Sequence, residues 1–128
     1  MKAISFTVAI FLLAIVCAKA ANQTSTKILA LDEAKQRGFW TAFLKGSGEK
    51  CDSVNRIMFG GSVPKMDVDD WSVGCQDGNE YSVSVYSDAA GSTKILSCKE
   101  LVAVDAMMMK RIGKPPSKDV GCWRKIPQ

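Results

Sequence analysis

Histidine is absent from all 128 residues. Its absence removes imidazole acid–base chemistry, Ser-His-Asp and Cys-His nucleophile systems, and every His-containing metal site. No two cysteines form a C-x-x-C pair, the spacing used by dithiol redox centres and by most structural zinc sites. No nucleophile signature or phosphate-cradling glycine loop occurs. Excess charge of one sign is also missing. The formal net charge is +4, and setting aside Lys2 and Lys19 of the N-terminal segment lowers it to +2. Domains that bind nucleic acid by electrostatics are usually far more basic, so that class is not the default expectation. Beyond residue 20 no apolar run approaches the ~20 residues that a spanning helix needs.

The N-terminal segment is the one long apolar run. Met1-Lys2 supplies a positive start, Ala3 to Val16 is almost wholly apolar, and Ala18-Lys19-Ala20 follows the small-x-small rule of signal peptidase. The expected organisation is a cleaved signal peptide over 1–20, a flexible polar N-terminus over 21–27, and a single domain over 28–128. The expected location is periplasmic or secreted. Asn22-Gln23-Thr24 forms a formal glycosylation sequon, a triplet that often arises by chance and has no meaning in a bacterium.

Cys17 leaves with the signal. Cys51, Cys75, Cys98 and Cys122 remain, an even number in an oxidising compartment, so disulfides are expected. Four cysteines allow three pairings. In an antiparallel meander the start of the first strand lies beside the end of the second, which favours Cys51–Cys75 and leaves Cys98–Cys122. The alternative pairs Cys75 with Cys98 and Cys51 with Cys122.

The pattern along the chain predicts α+β: an N-terminal helix, a four-stranded antiparallel meander, a second helix and a short C-terminal tail. Residues 28–45 read as a helix, with Phe39, Trp40, Phe43 and Leu44 on one side and Gly46-Ser47-Gly48 as its stop. Strands are expected over 53–59, 68–76, 80–86 and 93–98. Gly60-Gly61 is read as ending the first, and Asp77-Gly78-Asn79 as a hairpin turn. Trp71, Val73 and Cys75, with Tyr81, Val83 and Val85, form the apolar face that both helices should cover. Residues 99–112 read as the second helix, its line Leu101, Val104, Met108 and Ile112 facing the core.

Residues 71–81 show a W-x-V-x-C-x-D-G-x-x-Y arrangement, followed by Cys98. This resembles a pattern in small exported proteins of Gram-negative bacteria to which no activity is attached. The resemblance implies export and a disulfide-tied frame. The C-x-D-G hairpin is also similar to one in periplasmic lysozyme inhibitors of the small β-barrel kind, which implies an inhibitor of a lysozyme-like enzyme as one possible role.

Three other constellations stand out. Asp67, Asp69 and Asp70 lack the glycine and distal glutamate of an EF-hand loop. Met107, Met108 and Met109 suggest copper(I), but successive helix positions point about 100° apart and their sulfurs cannot converge. Lys110, Arg111, Lys114 and Lys118 form a modest basic cluster near Pro115-Pro116. No cofactor is therefore expected. The functional expectation is a non-catalytic binding or interaction protein of the cell envelope with a protein partner; the alternatives are the lysozyme-type inhibitor and a carboxylate-based hydrolase. The expected contact residues are Asp67, Asp69, Asp70 and Trp71 together with Asp77 and Asn79 at the hairpin tip, because loop tips on a rigid sheet concentrate binding surface.

Overall fold

The computed structural model describes residues 21–63, 65–118 and 120–127. The expected signal peptide, residues 1–20 with Cys17, lies outside the described residues. The architecture is α+β. Two helices, α1 (Gln23–Leu29) and α2 (Glu33–Gly46), precede four strands, β1 (Val54–Val63), β2 (Val68–Cys75), β3 (Glu80–Tyr86) and β4 (Thr93–Ser97). A third helix, α3 (Cys98–Arg111), and an irregular tail complete the chain. The strands pair antiparallel in the order β1-β2-β3-β4. The two disulfides are Cys51–Cys75 and Cys98–Cys122. The meander register explains the first, since Val54 stands opposite Cys75.

Period-two alternation sorts β2 and β3 onto two faces. Trp71, Val73, Cys75, Tyr81, Val83 and Val85 point to one face and are buried. The stripe on α2 packs onto them through Trp40 and Leu44, which are 1% and 0% exposed. Fully burying a side chain of this kind contributes roughly 1.5–3 kcal/mol. The Thr41 hydroxyl also accepts the Val54 amide at 2.9 Å, tying α2 to the start of β1.

Three expectations are corrected. The helix expected over 28–45 is two helices. Asp32 takes extended backbone and its carboxylate accepts the Lys35 amide at 2.8 Å, starting α2 afresh. The segment 21–27, expected to be flexible, forms most of α1. Asn22 caps it, its side-chain oxygen accepting the Ser25 amide, while its own side-chain amide donates to the Val85 carbonyl at 2.8 Å. Lastly, β1 runs on through Gly60-Gly61 to Val63, with a bulge between Phe59 and Gly61.

The second helix lies where the sequence places it. Its capping box is complete: Ser97 Oγ accepts the Glu100 amide, and the Glu100 carboxylate accepts the Ser97 amide. Its packing differs from expectation. No α3 residue is buried, and Val104, Met108 and Ile112 are exposed. The reason is that both sheet faces are already taken. Helices α1 and α2 cover one face, and the tail crosses the other.

The two bridges thus do different work, although each joins residues 24 apart. Replacing Cys51 and Cys75 by serine should lower the stability of the whole domain by about 3 kcal/mol, read from the urea midpoint. Replacing Cys98 and Cys122 should free α3 and the tail. Hydrogen-exchange mass spectrometry should then show faster exchange over 98–127, with β2 and β3 still protected.

Candidate functional site

The six expected contact residues do not form one surface. Asp69 and Trp71 are 2% and 1% exposed and unavailable to a partner. Asp69 accepts the Asn22 amide at 2.8 Å and the Ser62 hydroxyl at 2.6 Å. Trp71 donates its indole N–H to Ser25 Oγ at 3.0 Å. Both therefore hold the N-terminal segment on the sheet. Asp70 points to the opposite face, where its carboxylate accepts the Ser84 hydroxyl at 2.7 Å. Asp67 is exposed in the β1–β2 turn with left-handed backbone (φ 48°). Asp77 and Asn79 lie at the other end of β2, roughly 25–30 Å from Asp67 at strand spacing.

The hairpin tip is exposed, but its polar groups are engaged locally. Asp77 accepts the amides of Asn79 and Asp52, while Asp52 accepts the amide of Asp77. The Asn79 amide, foremost among these contacts, holds the Asp77 carboxyl below its usual range. The amides and hydroxyl around Ser92 do the same for Asp88, and Ser97 does so for Glu100. Burial, reinforced by the charges of Glu49 and Asp77, pushes the Tyr81 phenol up, and its hydroxyl donates to the Lys50 carbonyl at 2.7 Å.

The second face of the sheet is polar, with Asp70, Ser72, Ser82 and Ser84, and the tail straps it. The Cys98–Cys122 bridge brings the tail in. The buried Ser72 hydroxyl donates to the Cys122 carbonyl. Trp123 donates its indole N–H to the Glu80 carboxylate, and the Arg56 guanidinium stacks 3.6 Å from its ring centroid. Further on, the Ile126 amide donates to the Gly60 carbonyl at 2.8 Å. Two glycines clear the path. A Cβ at Gly74 would stand 3.1 Å from the Trp123 ring, and one at Gly60 would stand 3.0 Å from the Asp70 carbonyl oxygen and 3.2 Å from that of Arg124. The tail, with Asp70, Ser72, Ser82 and Leu101, lines an open cavity of about 320 Å³.

The remaining surface of note is α3. Of the eight exposed large hydrophobic side chains among the described residues, five are Val102, Val104, Met107, Met108 and Ile112 of α3 and its C-cap. A shallow, almost wholly apolar groove runs along Cys98, Val102, Ala103 and Ala106. Exposed Lys99, Lys110, Arg111 and Lys114 surround these positions. The helix is held at its ends. Besides the capping box and the disulfide, the Asp105 carboxylate accepts both the amide and the hydroxyl of Ser117, folding the segment after α3 back along it. Sequence periodicity assigned this apolar line to the core; no local signal marked it as surface.

Among the described residues, no helix is long and apolar enough to cross a membrane, and no group of three or more acidic, Cys or His side chains is placed to hold a metal ion. Comparisons with protein-family models, with curated proteins and with solved structures return no match.

Replacing Gly74 with valine should displace Trp123. Its indole N–H resonance should move toward the free-indole position, while those of Trp40 and Trp71 stay in place. The depressed carboxyl groups set an acid limit. Their folded-state pKa values lie below the unfolded ones, so their contribution is full above the ordinary carboxylate range and is lost as pH falls through the folded values. The urea midpoint should therefore drop on acidification, and Asp77→Asn with Glu100→Gln should flatten that acid limb.

Proposed function

We propose that this chain is an exported, disulfide-stabilised, non-catalytic binding protein of the cell envelope that offers α3 to a protein partner. The observation that carries the reading is a 14-residue helix with no buried side chain and apolar residues on most of its circumference. A helix with that pattern is normally buried, and an isolated helix of this length is marginal in water. Capping and the end anchors maintain it without core packing, which suits an element displayed for contact. Clustered exposed apolar side chains mark interaction surfaces in soluble domains. The surrounding lysines and arginine favour a partner with an apolar groove rimmed by acids, the helix-in-groove mode.

Export is supported by the sequence of the first twenty residues and by two disulfides, which persist in oxidising compartments. Cleavage after Ala20 keeps Asn22, which caps α1 and bonds to Asp69. The inhibitor reading rests on the C-x-D-G hairpin, whose Asp77 is hydrogen-bonded to Asn79 and to Asp52 of the segment before β1. The hydrolase reading needs two converging carboxylates, whereas Asp69 and Asp70 serve opposite faces of the sheet.

A photo-reactive residue at Met108, with one at exposed Ala42 on α2 as control, tests the proposal in the native envelope. A discrete protein adduct is expected from position 108 only, and Val104→Glu or Arg111→Glu should weaken it at least tenfold. The reading is overturned by no adduct, by an adduct of twice the chain mass, or by binding of the purified domain to phosphatidylglycerol vesicles through α3. Intact mass should begin at Ala21; a mass that retains residues 1–20 overturns the processing step.

A further inference from the structure

The cavity beneath the tail has the makings of a ligand site independent of α3's outer face. Its floor is the polar side of β2 and β3, where Asp70, Ser72 and Ser82 stand. Leu101 supplies an apolar wall, and Arg124 and Lys125 of the tail form the rim. The tail segment that lines it is fixed at Cys122 and Trp123 and again by the Ile126–Gly60 hydrogen bond. Such a strapped cleft of about 320 Å³ is at the small end of ligand-binding sites.

The polar groups inside are incompletely used. The Ser72 hydroxyl is committed to the Cys122 carbonyl. Asp70 receives one hydrogen bond, from Ser84 to Oδ1, which leaves Oδ2 available. Asp70 and Lys125 line the same cavity, yet no ion pair joins them. A carboxylate and an ammonium that share a cleft without touching leave space for a molecule carrying the complementary charge at each end.

We infer that the cleft binds a small zwitterion, an α-amino acid or dipeptide. The ligand ammonium sits on Asp70 Oδ2 and its carboxylate on the Lys125 ammonium. Ser82 supplies a hydroxyl donor between them, and Leu101 takes an apolar side chain. A ligand of single charge satisfies one end and is repelled by the other, so the site discriminates against both simple anions and simple cations. The Lys125 ammonium is suited to carboxylate recognition by a charge-assisted hydrogen bond.

Heteronuclear NMR titration of the purified, oxidised mature domain tests this, with glycylglycine and L-alanine as zwitterions and acetate and methylammonium as single-charge controls. Glycylglycine or L-alanine should shift the amides of Ser72, Ser82 and residues 122–126, at least tenfold more tightly than either control. Asp70→Asn keeps the acceptor for Ser84 and removes only the charge. Lys125→Gln alters an exposed side chain. Each should weaken zwitterion binding at least tenfold while spectral dispersion is retained. The inference is overturned if neither zwitterion shifts the cleft amides, if acetate or methylammonium binds equally well, or if both variants bind like the parent.

Discussion

The indole of Trp71 is the contact on which the packing of this domain depends. It stands on a central strand, with its ring centroid 5.3 Å from that of Trp40 and 4.9 Å from that of Phe59. Its N–H reaches Ser25, which is itself fully buried. One side chain thus joins α1, α2, β1 and β2. A buried indole N–H without a partner costs about 1–3 kcal/mol, so Ser25 must be in place, and α1 is required to position it. Asp69, two residues before Trp71 on the same face, reinforces the arrangement by taking the Asn22 amide. The N-terminal segment therefore completes the core, with Ile28 joining it directly. By contrast, Trp40 Nε1 is buried without a partner among the described residues, and its ring packs against Phe39, Phe43 and Trp71.

The second face of the sheet follows another logic. Serines and Asp70 make it polar, so burial there needs hydrogen-bonding partners. The tail supplies them through the Cys122 carbonyl, and Gly60 and Gly74 give it room to lie close. Covering this face leaves α3 only shallow contacts with β3 and β4. The displayed helix is a consequence of that crowding: the same strap that closes the polar face keeps α3 outside. The strap also forms part of the cleft, which it lines together with Asp70, Ser72 and Ser82 of the sheet.

Covalent and local restraints take the place of core packing in this half of the molecule. The Cys98–Cys122 bridge joins the first residue of α3 to the start of the strap. Glu100 and Asp105 stabilise the helix start and the segment after its end through hydrogen bonds to Ser97 and Ser117. A small domain that cannot enclose a larger core commonly relies on such links. Here they support an apolar surface, the feature from which the binding role is proposed.

Local pattern determined much of this protein. The alternation in β2 and β3, the Asp77-Gly78-Asn79 turn and the Ser97/Glu100 cap are short-range features, so strands, hairpin and α3 were legible from the residues alone. The disulfide pairing followed from strand direction, though a second pairing remained open until the register was known. Other features depended on contacts distant in sequence. Asn22 and Ser25 look like residues of a frayed terminus until Asp69 and Trp71, more than forty positions away, supply their partners. Asp69 and Trp71 read as an exposed acidic–aromatic contact for the same reason. The apolar line of α3 carries the periodicity of a core helix, because periodicity records that a helix has an apolar face and not whether any surface is left to cover it. Only the tertiary structure decided that question, by filling one face of the sheet with α1 and α2 and the other with the tail.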